Sequence, residues 1–229
     1  MHTKTLISLA LIGALAACDV DEVPTDSGPG IDAGEPGDAA RPEYPSGPYG
    51  TTIGSTTQNV TLMGYRAHHD RNTDPSWEQI QLDDYYDPLE NRGFYGGSLK
   101  LMVVDIGAVW CPPCRLETAW LESPCKAYET KGLVCYSAVL EGENRGQPAT
   151  QTDADTWREL QSDGAPAVPI VVADPEGNWL PYTQNSFPTN IFVDLKTMKI
   201  IDQVIGSDLT QLQTKMQKYL KQFFEEEGS

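Results

Sequence analysis

Cys111 and Cys114 bracket two prolines in Trp110-Cys111-Pro112-Pro113-Cys114, and thiols at that spacing suit two kinds of chemistry. They can close and reopen a disulfide: one thiolate attacks a partner's sulfur, and the other resolves the mixed disulfide. The same spacing also supplies half of a tetrahedral zinc site. Such a site needs further ligands, and the sequence holds no second Cys-x-x-Cys. Apart from one near the start, its histidines are His68 and His69, adjacent and far upstream. Disulfide exchange is therefore the expected chemistry, and no metal site is expected. Two other readings stay open: a copper carrier using Cys111, Cys114 and His68 or His69, and a surface protein that its disulfides merely stabilise.

A nucleophilic thiol needs an element that stabilises its charge. Leu99 to Ile106 is a near-continuous apolar run, the pattern of a central strand covered on both faces. Gly107 to Trp110 makes a turn, and Cys111-Pro112-Pro113-Cys114 opens a helix. Proline is tolerated there because the first N–H groups of a helix have no intrahelical partner. Those groups and the positive end of the helix dipole favour a thiolate at Cys111, which is expected to be exposed. Cys114, one turn further in, is expected to be shielded and to act as the resolving thiol. The helix continues through Leu116, Ala119, Trp120 and Leu121 toward Tyr128 and closes at Lys131-Gly132. Pro124 should kink or split it, with Ser123-Pro124 restarting a second short helix. Leu133 to Leu140 reads as the next strand, which makes a βαβ unit with parallel strands.

Trp110-Cys-Pro-Pro-Cys114 after an apolar strand resembles the thioredoxin superfamily, in particular its extracytoplasmic TlpA/ResA/DsbE-like (redoxin) branch. The resemblance runs over about residues 50 to 225, most strongly over Leu99–Leu140 and Ser186–Gly206. It implies an α/β, thioredoxin-like fold, a central mixed sheet flanked by helices, with the branch's inserted helix at Asp153 to Asp163. It implies a thiol–disulfide oxidoreductase of the protein-disulfide reductase type, without a cofactor, and expected to be monomeric. Its partners would be protein thiols or disulfides and a membrane electron donor or acceptor.

The resemblance also carries site residues. Asp105 falls where thioredoxins keep a buried acid that moves the resolving cysteine's proton, and a carboxyl in an apolar strand should have a raised pKa. Glu117 matches an acid three residues after the second cysteine, with an exposed helix glutamate as the alternative. Glu141 and Glu143 follow the second strand, where the branch can place another acid. Ser186-Phe187-Pro188-Thr189 matches the cis-proline that faces the cysteines, and its backbone would pair with an extended substrate. Trp110, Pro112, Pro113, Phe187, Pro188 and Thr189 are thereby expected at the substrate site. Ala119, Pro124, the Gly107-Ala108-Val109 turn and Phe187 depart from the branch's usual residues, and they touch the groove and the helix angle more than the chemistry.

The ends of the chain read differently. Lys4 followed by the short apolar run Leu6 to Leu15 resembles an export signal over residues 1–17, too short to span a bilayer. Leu15-Ala16-Ala17-Cys18 resembles the lipobox of bacterial lipoproteins, which implies acylation at Cys18 and a place in the bacterial cell envelope. That place would be the periplasmic side, on either the inner or the outer membrane. Residues 19 to 48 carry eight acidic residues against Arg41, with six prolines and five glycines, and read as a disordered acidic tether. The folded domain is then 49–229. A formal charge of -17 and a pI near 4.4 exclude nucleic acid as a partner on charge grounds. With Cys18 set aside, Cys125 and Cys135 are left for each other, as a disulfide or as two buried thiols.

The remaining elements are coarser. Val60 to Tyr65 is a candidate extra strand, and Trp77 to Tyr86 is aromatic and acidic without clear period. Val168 to Ala173 reads as a strand, and Ile191 to Val193 with Ile200 to Ile205 as a hairpin. Leu209, Leu212, Met216, Tyr219 and Phe223 form the stripe of a last helix, which Asp208 and Gln211 resemble a capping box for.

Overall fold

The computed structural model describes residues 42–67, 75–93, 97–160 and 168–225. The export segment, Cys18, His68 and His69 lie outside the described residues. Along the chain run β1 (Thr61–Arg66), β2 (Glu78–Gln81), β3 (Leu101–Ala108), α1 (Pro112–Tyr128), β4 (Leu133–Glu141) and α2 (Gln151–Arg158). They are followed by β5 (Ile170–Ala173), β6 (Thr189–Asp194), β7 (Lys199–Ile205) and α3 (Leu209–Phe224). The strands form one seven-stranded sheet in the order β2-β1-β5-β4-β3-β6-β7.

The apolar run that sequence places at the centre is β3, buried at every position. It pairs in parallel with β4, reached through α1, and antiparallel with β6. Its side chains alternate between two cores. Met102, Val104 and Ile106 pack with Tyr85, Tyr136 and Trp179 on one face. Leu101 and Val103 pack on the other with Leu121 of α1 and Leu212 and Met216 of α3. Asp105 and Gly107, in the same alternation, therefore face α1.

Two expectations are corrected. α1 is a single helix from Pro112 to Tyr128 with Pro124 inside it, and no second helix restarts at Ser123. Leu121 and Cys125, one turn apart and each 1% exposed, clamp both sides of the proline onto the sheet. Cys125 is bonded to Cys135 of β4, which fastens the last turn of the helix. Gly132 then reverses the chain at φ 105°, where a Cβ would lie 2.1 Å from the carbonyl oxygen of Ser98. The second correction concerns the start of the domain. Tyr44, read as tether, packs against the core edge-on to Tyr86, and its hydroxyl donates to the Thr57 carbonyl oxygen at 3.0 Å. An aromatic side chain with a buried partner outweighs the local proline and glycine content, so the packed chain begins before residue 49.

α2 starts two residues earlier than expected, because Thr150 and Asp153 cap it reciprocally. Trp157 of α2 is buried, and Leu160, past the end of the helix, packs against the same cluster. Asp208 caps α3, its Oδ1 accepting from the Gln211 N–H at 2.8 Å. No helix among the described residues is long and apolar enough to cross a membrane.

Candidate active site

Cys111 is the N-cap of α1 and Pro112 its first helical residue, so both cysteines sit on the open turn that sequence requires. They are bonded to each other, with Cα atoms 5.3 Å apart. The Cys114 N–H points at Cys111 Sγ, at 3.3 Å. Cys111 is 2% exposed and Cys114 is fully buried. The expected exposed thiol is thus nearly covered in the bonded pair. Cys111 nevertheless lines a cleft of about 500 Å³, and Cys114 does not.

Trp110, Pro112, Pro113 and Phe187 line the same cleft, with Glu141, Arg145, Asn185, Ser186 and Gly206. Trp110 and Phe187 meet edge to face, their ring centroids 6.1 Å apart. Trp110 Nε1 donates to Glu141 Oε2 at 2.6 Å, and that oxygen also accepts from the Gly146 N–H. The guanidinium of Arg145 stacks over the Trp110 ring at 4.0 Å. Glu141 therefore orients the tryptophan, while Glu143 is exposed and lines no part of the cleft. The Phe187–Pro188 peptide is cis. Thr189 departs from its expected place: it is fully buried, its hydroxyl donating to the Ser186 carbonyl oxygen at 2.9 Å, so it shapes the turn instead of facing the cleft. Pro188 is likewise buried, and its carbonyl oxygen accepts from the Gly206 N–H.

Beneath α1 a row of polar side chains crosses the centre of the sheet. Ser137 of β4, Asp105 of β3 and Asn190 of β6 are register partners, all fully buried. Asp105 Oδ2 accepts from the hydroxyls of Thr118, at 2.5 Å, and Ser137, at 3.0 Å. Burial raises the Asp105 carboxyl to about 6, against the pull of those two donors. Glu117 is 1% exposed, not the surface residue that its helix position would also allow. Its Oε2 accepts from Asn190 Nδ2 at 2.9 Å. Burial first and the neighbouring Asp105 second raise it to about 7. Asp105 Oδ1, Glu117 Oε1 and Asn190 Oδ1 are buried without a hydrogen-bond partner. Two carboxyls that change protonation near neutral pH under a redox-capable pair are suited to proton transfer.

Sequence reasoning missed Thr118, Ser137, Asn190 and Arg145. A signal existed for Ser137, a lone polar residue inside the apolar run Leu133 to Leu140, and for Asn190 at the head of Ile191 to Val193. Arg145 carried none. Cys125 and Cys135 are bonded, each 1% exposed, among Leu121, Leu133 and Phe192 and away from the cleft. Among the described residues no group of three or more His, Cys, Asp or Glu could hold a metal ion.

No protein-family model matches the chain, and no curated protein matches it in sequence. Solved structures do match. A Chlorobium tepidum protein assigned as thiol:disulfide interchange protein DsbE is 20% identical, with a TM-score of 0.53 over 75% of this chain and 97% of that one. A Bacteroides thetaiotaomicron protein assigned as a protein disulfide isomerase is 12% identical, with a TM-score of 0.51 over 77% and 93%. The reduced 2-Cys peroxiredoxin of Plasmodium vivax is 8% identical, with a TM-score of 0.51 over 76% and 86%. At such identities the likeness is one of architecture: the chain has the thioredoxin-like fold, a mixed sheet flanked by helices with Cys111 and Cys114 opening the first of them.

Proposed function

We propose that this protein is an extracytoplasmic thiol–disulfide oxidoreductase, anchored by lipid on Cys18, that reduces disulfides of protein substrates through Cys111 and Cys114. The observation that carries this reading is the bonded Cys111–Cys114 pair at the first turn of α1, opening on a cleft walled by Trp110 and Phe187 and underlain by two buried carboxyls. The helix N-terminus favours a thiolate at Cys111 once the pair is reduced. That thiolate attacks a substrate disulfide; Cys114, deprotonated with Asp105 as base, then attacks Cys111 and releases the substrate thiol. A membrane dithiol donor reopens the pair. The export and lipobox pattern supports a reaction outside the cytoplasm, and the interchange protein among the structural neighbours is consistent with the chemistry.

The test is capture. Cys111→Ser should abolish turnover, and Cys114→Ser should accumulate mixed disulfides with protein partners. A Cys114→Ser protein that forms none would sink the reading. The reductive direction requires a Cys111–Cys114 potential at or below about -230 mV; one near about -120 mV would make the protein an oxidant instead.

A further inference from the structure

Asp105 has a neighbour that the exchange reaction leaves unused. Ser137 stands beside Asp105 in register, and its hydroxyl donates to Oδ2. The same Ser137 oxygen accepts from Nε1 of Trp157 at 2.7 Å, and all three residues are buried. An indole N–H can only donate, so the Ser137 oxygen is fixed as its acceptor and the single hydroxyl hydrogen is committed to Asp105. Thr118 donates to that same oxygen. Two hydrogens thus converge on Oδ2, while Oδ1 is buried with no partner. A proton taken up by this carboxyl therefore lands on Oδ1.

Trp157 also reaches the redox pair. A Cβ at Gly107, on the same face of β3 as Asp105, would stand 3.0 Å from the Trp157 ring and 3.1 Å from Cys114 Cβ. Thr118 lies one turn after Cys114, so the resolving thiol and one donor to the acid share a face of α1.

We infer that Trp157 is a positioning residue: through Ser137 it makes Oδ1 of Asp105 the oxygen that takes and returns the proton of Cys114. This rests on the exchange reaction proposed above. In the mixed disulfide, Cys114 gives its proton to Oδ1 as its sulfur attacks Cys111. The Cys111–Cys114 bond forms, the bond to the substrate sulfur breaks, and the substrate thiolate takes a proton from water. When a donor dithiol attacks Cys111, Cys114 leaves as thiolate and recovers the proton from Asp105. Around Asp105, α1 contributes Glu117 and Cys114, β4 and β6 the uncharged Ser137 and Asn190, and α2 the uncharged Trp157. Asp208, before α3, bears on Glu117.

The experiment is the rate at which dithiothreitol reduces Cys111–Cys114 in the folded protein, across pH, read by alkylation of the freed thiols and corrected for dithiothreitol ionisation. With Glu117→Gln as the common background, so that the second buried carboxyl supplies no inflection of its own, the profile should carry an inflection that Asp105→Asn removes. Ser137→Ala should move it up by about one pH unit, because a donor to the carboxylate is lost, and Ser137→Thr should restore it. Replacing Trp157 with benzothienylalanine, which keeps the shape of indole without its N–H, should move the inflection in the same direction. Combined with Ser137→Ala it should move it no further. An inflection unmoved by the change at 157, shifts that add, or an inflection that survives Asp105→Asn would overturn the inference alone. A wild-type pair that dithiothreitol cannot reduce in the folded protein would overturn the exchange reaction as well.

Discussion

Asp105 is a charged residue type held where charge is disfavoured, and that has a thermodynamic consequence whatever chemistry the carboxyl serves. Its carboxyl ionises at about 6 in the folded protein against an ordinary 3.8. Between those values the folded state keeps a proton that the unfolded chain has released, so stability falls as pH rises through that window and stays lower above it. A shift of this size corresponds to about 3 kcal/mol. Asp105→Asn should therefore raise the urea unfolding free energy at neutral pH by up to that amount, with the gain vanishing below about pH 4. Equal midpoints for parent and variant at neutral pH would show that the carboxyl is not held against its charge. Asp105 was legible because a lone acid in an apolar run stands out. Glu117 was half legible: with Thr118 it lies on the stripe of Cys114, Leu121 and Cys125, at helical spacing, which predicts burial. Asn190 and Ser137 escaped because short polar residues in strands are common, and only the register aligns them with Asp105.

At the scale of elements, α1 joins the turn that holds Cys111 and Cys114 to the sheet, and its two ends are secured differently. The first turn borders the cleft through Pro112 and Pro113, whereas the last is bonded to β4 through Cys125 and Cys135. A sequence separation of ten closes a short loop, for which the loss of chain entropy on unfolding is about 2–3 kcal/mol. The double change Cys125→Ala, Cys135→Ala should lower the urea unfolding free energy by about that much. The exchange proposed for Cys111 and Cys114 should persist while the protein remains folded. An unchanged midpoint would mean that the packing of Leu121, Leu133 and Phe192 fixes the helix unaided. The start and end of α1 were readable from local chemistry, prolines at its first turn and glycine past its end. Its continuity through Pro124 was not, because tertiary contacts on both sides of the proline decide it and the sequence shows only the break.

The whole molecule explains why residues 49 to 98 resisted reading. Those of them that the structure describes do not form a unit of their own but lie along both edges of the sheet. Near β7, the Thr57 N–H donates to the Met198 carbonyl oxygen and the Ile200 N–H to that of Ser55, while Gln203 Nε2 reaches the carbonyl of Thr51. Beyond β5, β1 and β2 add an antiparallel pair. Partners so far apart in sequence leave no local period, and β2 in particular has one buried residue in four. Residues 42 to 48 belong to this wrap, since Tyr44 binds Thr57 at the point where the chain meets β7. A protein beginning at residue 42 should therefore be more stable to urea than one beginning at residue 49. The difference should be about 2–3 kcal/mol, from one half-buried tyrosine ring and its hydroxyl bonds. Tyr44→Ala in the longer protein should reproduce most of that loss, and Tyr44→Phe only the part due to the hydroxyl, about 1 kcal/mol. Identical midpoints for the two lengths would return the boundary to residue 49 and leave Tyr44 a surface contact without energetic weight.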